Sequence, residues 1–312
     1  MLSFIVIGRN EGWKLSLCLG SIIDAVERNR IMDFEIIYVD SQSTDDSIKI
    51  IQEFSGIKIF KIEGKCSAAI ARNIGAKEAK GDILVFLDGD MKLDADFLSL
   101  AMKDNGNLIY PFQTGIYQYC YYDRNNIVIK EKSFDTISDN TFVKSVGGFF
   151  IISKKLWQRV GGMDNRLVRN EDIDLGLRLC KINTPALKQS VKCINHYSGI
   201  DGFSAHLLKY AFYYRYSSVL ARKHLFNIHY LPMLLRMNYT SILFFAVVIL
   251  SFINVYFFLL YIMLILVRAL VNKAHRSANM ILYYLLRDIT FVVSFFIYYP
   301  ISPRISYREC SF

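Results

Sequence analysis

The stretch Ile83-Leu84-Val85-Phe86-Leu87-Asp88-Gly89-Asp90 decides the fold, because five apolar residues run directly into two carboxylates separated by one glycine. A continuous apolar run of this length predicts a β-strand that is covered on both faces. The abrupt acidic end predicts the carboxyl edge of a sheet, where α/β proteins bind ligands. Two neighbouring carboxylates repel each other unless a cation lies between them, so the pair suggests a divalent metal site. The alternative is a strand followed by an ordinary Asp-Gly turn.

Strand and helix patterns alternate on the N-terminal side of this stretch. Apolar runs at residues 3–7, 34–39 and 57–62 predict three more strands, and segments with helical periodicity separate them. Four strands that alternate with helices within about ninety residues predict an α/β domain with a doubly wound, mostly parallel sheet. No Gly-x-Gly-x-x-Gly loop follows the first strand, which disfavours a dinucleotide-binding oxidoreductase.

Two residues of this region are candidates for binding a nucleotide. Asp40 ends the second predicted strand, where an acid can accept hydrogen bonds from a ribose or a base edge. The alternative is a loop acid that helps the next helix to begin, together with Ser43, Thr44 and Asp45. Arg72 lies in a predicted helix at residues 65–80, whose many small residues would let it pack close to the sheet. Its guanidinium could reach toward a diphosphate.

Further candidates lie between residues 146 and 197. Gly147 and Gly148 begin a predicted strand at 146–152 and permit a close backbone approach to a ligand or to another strand. Glu171, Asp172 and Asp174 lie at the beginning of a predicted helix, where acids are favoured by the helix dipole in any case. Three acids in four residues exceed what capping requires. His196 follows a predicted strand near 189–195; a lone histidine is usually structural, but this position also suits a metal or phosphate contact.

Four short blocks, taken in order, resemble those of family 2 glycosyltransferases with the GT-A fold, and the resemblance covers about residues 2–200. Any one block is common, whereas four in the same order with matching strands and helices are specific. The blocks are Ile7-Gly8-Arg9-Asn10-Glu11, Val39-Asp40-Ser41-Gln42-Ser43-Thr44-Asp45, Phe86-Leu87-Asp88-Gly89-Asp90, and Gly161-Gly162-Met163-Asp164 followed by Glu171-Asp172-Ile173-Asp174-Leu175.

The resemblance implies an inverting transferase that moves a sugar from a nucleotide donor. It implies that Asp40 holds the base or ribose, that Asp88 lies on the ribose side, and that Asp90 binds a Mn²⁺ or Mg²⁺ ion that bridges the diphosphate. It also implies that Asp172, the second acid of its pair, is the general base. The predicted site comprises the donor-binding residues Arg9, Asn10, Glu11, Asp40, Arg72 and Asp88, the metal ligands Asp90 and His196, the catalytic acids Glu171 and Asp172, and the acceptor-side glycines Gly147 and Gly148.

The sequence departs from the family pattern in two places. Gly8-Arg9 stands where relatives often carry Thr and Tyr or Pro, which affects the donor contacts expected there. Processive relatives carry a Gln-x-x-Arg-Trp segment after the base, but the tryptophans of this chain are Trp13 and Trp157. We therefore expect the addition of one or a few sugars rather than a long polymer.

The last third of the chain has a different composition. Residues 1–199 contain 26 basic and 25 acidic residues, whereas residues 200–312 contain 11 and 3, interleaved with long apolar runs. This combination is typical of an anionic membrane surface and disfavours nucleic acid as a partner. It predicts a catalytic domain at 1–200, amphipathic interfacial helices at 201–236, and a membrane-embedded helical hairpin with a basic tail at 237–312. The hairpin would use residues 241–267 and 281–299, with a bend near Asn254 as an alternative to a simple crossing.

The apolar run of the first predicted strand is too short for a signal peptide and lacks its basic lead, so we expect it to be a strand of the folded domain. Six scattered cysteines are expected to be reduced packing residues rather than zinc ligands. We therefore expect the catalytic domain at the cytoplasmic face of the cell inner membrane. The expected acceptor is a lipid-linked saccharide of a bacterial surface glycan. One rival is a polyprenyl-phosphate glycosyltransferase, whose ionised acceptor needs no general base. Another is a non-catalytic membrane subunit that retains the fold, against which the intact acids argue.

Overall fold

The computed structural model describes residues 1–133, 137–199, 207–271 and 279–310. The chain divides into two compact units, the first made of residues 1–200 together with 302–312 and the second of residues 201–301. We refer to them as the sheet unit and the helical unit. Each has its own apolar core.

The apolar run that ends in Asp88 forms β4, a central strand of the sheet unit. β4 lies parallel to β1, β1 is parallel to β2, and β2 is parallel to β3. The predicted alternation of strands and helices is confirmed over this half of the sheet. The elements are β1 Leu2–Gly8, α1 Trp13–Arg28, β2 Phe34–Asp40, α2 Ser47–Gln52, β3 Ile57–Ile62, α3 Ala68–Glu78 and β4 Ile83–Asp88.

Beyond β4 the sheet is mixed. β9 pairs antiparallel with both β4 and β6, β10 runs parallel to β6, and β5 pairs antiparallel with β10. The α/β class is thus confirmed, while the parallel arrangement is concentrated in the first four strands. The further elements are β5 Met91–Leu93, α4 Phe97–Ala101, β6 Phe112–Tyr122, β7 Val128–Ser133, β8 Thr141–Val143, β9 Phe150–Ser153, α5 Lys154–Val160, α6 Glu171–Lys181 and β10 Ala186–Gly199.

Helices cover both faces of the sheet. On one face α1, α2 and α4 pack against alternate residues of the central strands, and on the other face α3, α5 and α6 do so. α3 lies close to the sheet as its small residues predict, because a Cβ added at Gly75 would lie 2.3 Å from Cγ2 of Ile5. All six cysteines are free thiols, and four of them are buried.

The end of the chain corrects one expectation. Residues 302–312 were expected in a basic tail after the membrane hairpin, but β11, Tyr307–Cys310, pairs antiparallel with β3 at the edge of the sheet. The Tyr307 hydroxyl donates to Glu78 and accepts from Nζ of Lys77, both on α3. The chain therefore returns to the sheet unit after the helical unit.

The helical unit contains four helices in its described residues. The uncharged run at 241–267 does not form one helix, because α8 ends at Ser251 and α9 begins at Tyr256, close to Asn254. By length and composition alone, α8 and residues 280–297 of α10 could each cross a bilayer, whereas α9 is shorter. The predicted positions of Phe203, Lys273 and Arg276 lie outside the described residues. The helices are α7 Leu207–His224, α8 Leu231–Ser251, α9 Tyr256–Val271 and α10 Asn279–Ile297.

Candidate active site

The strand-end acids, Asp88 and Asp90, lie at the carboxyl end of β4 as the sequence predicts. β5 begins immediately after them and pairs with β10, and this pairing brings His196 to Asp90. Nε2 of His196 lies 3.2 Å from Oδ2 of Asp90, and the Tyr197 amide donates to the Asp90 carbonyl at 2.9 Å. Oδ1 of Asp90 is buried and has no hydrogen-bond partner in the described parts of the chain.

Arg72 on α3 connects the strand-end acids to a second pair of acids. Its guanidinium donates to Oδ1 of Asp88 at 2.6 Å and to Oε1 of Glu171 at 3.1 Å, and its side chain is 3% exposed. Both ends of the guanidinium fork are thus engaged with carboxylates, whereas the sequence suggested a reach toward a diphosphate. Arg72 therefore fixes the positions of Asp88 and Glu171 relative to each other.

The helix-start acids, Glu171 and Asp172, lie in the first turn of α6. The third acid of the predicted cluster, Asp174, has a structural role instead: it is fully buried and pairs with Arg178 at 2.9 Å. Nη2 of Arg178 also donates to the Gly162 carbonyl at 2.6 Å. These bonds hold the beginning of α6 against the preceding loop. Asn73 on α3 holds the same loop by exchanging hydrogen bonds with the backbone of Met163.

Burial shapes the ionisation of this acid cluster. Burial raises the pKa of Glu171 to about 7, although the Arg72 charge opposes the shift and the Asp172 charge adds to it. Burial also raises the pKa of Asp88, against the same Arg72 charge and with a contribution from Asp90. The cluster of acids therefore favours the binding of a cation.

Gly147 and Gly148 lie between the two groups of acids. The Gly147 amide donates to Oδ2 of Asp172 at 3.2 Å, and the Ser145 hydroxyl donates to the same oxygen. A Cβ added at Gly148 would lie 2.1 Å from Oδ2 of Asp88, so only glycine allows this approach. The predicted strand at 146–152 begins only at Phe150, because Gly147 has a φ of 68° and the chain turns there.

The loop after β1 packs on the loop after β2. Asn10 has a φ of 59°, its amide donates to the Ser43 hydroxyl, and its side-chain oxygen accepts from the Thr44 amide. Arg9 is exposed. Asp40 is fully buried, and both of its carboxylate oxygens accept from the Ser43 amide. This is the loop-organising role that the sequence left open beside base or ribose binding.

Glu11 and Lys14 form a partly buried ion pair next to the strand-end acids. Nζ of Lys14 lies 2.7 Å from Oε2 of Glu11, and the side chains are 13% and 17% exposed. Burial and the nearby Asp90 charge raise the pKa of Glu11, and the Lys14 contact opposes the shift. Sequence reasoning included Glu11 but missed Lys14, as it missed Ser145 and Asn73, because a single polar residue near a loop carries no distinctive pattern.

Comparison with known proteins identifies the family. Residues 3–155 match the family described as Glycosyl transferase family 2. These residues, which lie in the sheet unit, form a family 2 glycosyltransferase domain. An uncharacterized glycosyltransferase of Haemophilus influenzae is 26% identical over 260 residues, which are 73% of this chain and 86% of that protein. The O-antigen chain rhamnosyltransferase RfbN of Salmonella typhimurium is 28% identical over 134 residues, which are 40% of each chain.

A solved structure shows the same fold. The mannosyltransferase PcManGT from Pyrobaculum calidifontis, in complex with GDP-Man and Mn²⁺, superimposes with a TM-score of 0.59 at 16% identity and covers 93% of this chain and 86% of its own. At this identity the likeness concerns the fold alone, and it confirms the GT-A architecture that the four sequence blocks predicted.

The strand-end acids of this glycosyltransferase fit a divalent metal. Within the described ranges no three His, Cys, Asp or Glu side chains converge as a complete cage. Asp90 and His196 would supply two ligands, and the unpartnered Oδ1 of Asp90 is an acceptor that a cation would satisfy. Mg²⁺ and Mn²⁺ sites that act on nucleotides use one or two carboxylates and complete their shell with phosphate oxygens and water.

Proposed function

We propose that this protein is an inverting, non-processive glycosyltransferase that depends on Mn²⁺ or Mg²⁺. It would move a sugar from a nucleoside-diphosphate sugar to a hydroxyl group of a lipid-linked saccharide during assembly of a surface polysaccharide or glycolipid. The observation that carries the proposal is the Arg72 bridge, since it places a cation-binding pair of acids and a candidate base at one edge of the sheet.

The charge of this edge supports a metal-dependent reaction. Asp88, Asp90, Glu171 and Asp172 converge on it, and Arg72 is the cation that contacts two of them. When bound, a divalent ion supplies positive charge to the leaving nucleoside diphosphate. Asp90 and His196 would hold the ion, while Arg72 keeps Asp88 oriented on the nucleoside side.

Asp172 is better suited than Glu171 to act as the general base. Glu171 is nearly buried, bonded to Arg72, and has a pKa of about 7. Asp172 is partly exposed, and its two recorded donors, Ser145 and Gly147, both bond Oδ2. Oδ1 can therefore accept the proton of an acceptor hydroxyl. Displacement of the diphosphate by that hydroxyl in one step inverts the anomeric carbon without a covalent enzyme intermediate.

The helical unit supports a membrane-bound acceptor. Two of its helices are long and apolar enough to span a bilayer, and α9 exposes Leu259, Leu260 and Met263 by more than half. Exposed apolar side chains at this density suit contact with lipid. An enzyme at the inner leaflet meets lipid-linked saccharides at high local concentration. We accordingly place the sheet unit at the cytoplasmic face of the inner membrane.

A donor screen tests the proposal. Membranes that contain the full chain are incubated with a lipid-linked saccharide extract, Mn²⁺, and UDP-, GDP- or TDP-sugars in turn, and release of nucleoside diphosphate is followed. We expect one donor to give acceptor-dependent release that EDTA abolishes. Acceptor-dependent release that persists in EDTA would remove the metal from the proposal, and no release with any donor would favour a non-catalytic subunit.

Asp172→Asn tests the acceptor chemistry. We expect turnover to fall by about 10²–10⁴-fold, the usual contribution of a general base, while donor binding is retained. Asp46→Asn is the matched control, because Asp46 is a surface acid whose side chain is 72% exposed. Retained turnover in Asp172→Asn would indicate an acceptor that is already ionised, such as a polyprenyl phosphate.

A further inference from the structure

The helical unit contains a cavity of about 340 Å³ that combines one cation with apolar walls. It lies between α8, α9 and α10, and nothing in the proposed reaction uses it. Val267 and Val271 are 52% and 70% exposed, so the cavity is open along its aliphatic side. Its walls are Tyr239, Leu264, Val267, Arg268, Val271 and Tyr284.

Two tyrosine rings lie against the Arg268 guanidinium. Its central carbon lies 4.7 Å from the ring centroid of Tyr239 and 4.5 Å from that of Tyr284. Cation–π contacts of this kind hold a guanidinium in place without using its N–H donors. The one hydrogen bond recorded for Arg268 among the described residues goes to the Thr240 hydroxyl at 2.8 Å. Most of its five donors are therefore available to a ligand.

The charges around Arg268 do not balance. Arg287 also donates to the Thr240 hydroxyl, so two guanidinium groups meet at one neutral oxygen. Asp288 is the acid of this cluster, and it is fully buried and bonded to Arg287, Ser241 and Tyr261. No carboxylate in the described ranges lies within ion-pair distance of Arg268. Two cations thus share one anion in an apolar unit, where an unpaired charge is costly.

We propose that this cavity binds the phosphate head of a membrane amphiphile. Arg268 would bond the phosphate oxygens in the plane of its guanidinium, and the hydrocarbon chain would run along Leu264, Val267 and Val271. A phosphate supplies the missing negative charge and the two-oxygen geometry that an arginine fork matches. The inference rests on the membrane attachment that the proposed function includes, but not on the transfer reaction.

Helix capping does not account for this arrangement. Arg268 lies in the last turn of α9, where a basic residue is favoured by the helix dipole. A dipole requires neither the two cation–π contacts nor a second guanidinium at the same hydroxyl. It also does not require an open apolar wall beside the charge.

Binding of defined lipids to the purified full chain tests the site. The protein in dodecyl maltoside is titrated with dioleoyl phosphatidic acid and, in parallel, with dioleoylglycerol, and bound lipid is counted by native mass spectrometry. We expect phosphatidic acid to bind and the uncharged lipid to bind at least about tenfold more weakly, since a charge-assisted pair is worth that much. Equal binding of both lipids would overturn the proposal.

One variant and one control localise the binding. Arg268→Gln should weaken phosphatidic acid binding by about tenfold or more. Arg236→Gln removes the same charge from an exposed position of α8 and should change binding by less than about twofold. Equal weakening by both substitutions would mean general surface attraction and would contradict a built site.

A further variant covers the case in which Arg268→Gln fails to fold. Val267→Phe narrows the cavity at a half-exposed position and keeps the charge, so it should also weaken binding while the helical circular dichroism is unchanged. Binding that survives Val267→Phe would overturn the proposal.

A third titration with a polyprenyl phosphate distinguishes the two sources of this chemistry. A higher affinity for the polyprenyl lipid would identify a carrier lipid, and a higher affinity for phosphatidic acid would identify a bilayer phospholipid. These measurements use no nucleotide sugar, so they remain informative if the proposed transfer reaction is wrong. Conversely, a protein that transfers sugar but binds neither phosphate lipid would refute this inference alone.

Discussion

The two units each contain a cluster of arginines and acids, and the net charges of the two clusters have opposite signs. In the sheet unit Arg72 contacts two carboxylates, and two further acids lie nearby. In the helical unit Arg268 and Arg287 share Thr240, with Asp288 as the acid of the cluster. We propose that a cation completes the first cluster and an anion completes the second. On this proposal, the surplus charge of each cluster indicates what the unit binds.

Removing one arginine from each cluster tests this contrast most strongly. Arg72→Gln leaves a cluster of acids without its cation, and we expect it to lower the free energy of unfolding by about 3–5 kcal/mol. Arg268→Gln removes the surplus arginine of the other cluster and leaves Arg287 paired with Asp288, so the loss should be clearly smaller. Trp13 and Trp157 both lie in the sheet unit, so their fluorescence in urea reports Arg72→Gln, and helical circular dichroism reports Arg268→Gln. A larger loss for Arg268→Gln would refute the contrast.

The proposed binding of a cation by the sheet-unit cluster depends on Asp90. Asp90→Asn should weaken Mn²⁺-dependent binding of UDP or GDP by about 10²–10³-fold, because a metal ligand contributes several kcal/mol. Calorimetry with and without EDTA measures the effect. Asp46→Asn removes one surface acid and should leave the affinity unchanged. Equal binding by Asp90→Asn would mean that the nucleotide does not need this carboxylate.

The close approach at Gly148 tests whether the position of Asp88 matters. Gly148→Ala places a methyl group where the Asp88 carboxylate lies, and the carboxylate must move. A displacement of about 1 Å typically costs about 10²-fold in turnover. Gly161→Ala is a useful comparison, because it changes a glycine of positive φ with nothing near its Cβ and should affect stability rather than turnover. Full activity of Gly148→Ala would argue against a role for Asp88.

The smallest effect concerns the pH dependence of stability. Burial raises the pKa of Glu171 from 4.5 to about 7, so the folded chain holds this proton more tightly than the unfolded chain. Its contribution to stability is therefore present below about pH 4.5 and is lost as the pH rises through 7, with about 2.5 kcal/mol of the loss falling between pH 5 and 8. Glu171→Gln should lack this decline when tryptophan-monitored unfolding is compared between pH 5 and 8. An identical slope in both proteins would show that Glu171 ionises without a penalty.

The sequence predicted best what is encoded locally. The apolar run at 83–87 placed Asp88 and Asp90 at the end of a strand, and the density of acids after residue 170 placed Glu171 and Asp172 at the start of a helix, as the structure confirms. Both patterns are contained within a few residues, where periodicity and composition are informative. The alternation of strands and helices likewise predicted the parallel half of the sheet.

The sequence alone could not predict the contacts between segments that lie far apart along the chain. Arg72 meets Glu171 across 99 positions, so its reach toward two acids rather than a ligand depends on how α3 and α6 pack. Lys14 and Ser145 were missed for the same reason, and the burial of Asp40 against Ser43 could not be read from a strand-end acid. The break between α8 and α9 lies close to Asn254, where the sequence offered a bend as an alternative to a simple crossing.

The pairing of β11 with β3 limits the number of times that the helical unit can cross a bilayer. The chain leaves the sheet unit after β10 and re-enters the same sheet after α10, so both ends of the helical unit are fixed to one folded body. A segment anchored in this way can cross a membrane only an even number of times. If α8 and α10 cross a bilayer, as we propose, their two crossings satisfy this parity. In that arrangement α9 must begin and end on the same side of the membrane or pair with a further crossing helix. Adding or deleting a single crossing helix would therefore separate β11 from its partner strand.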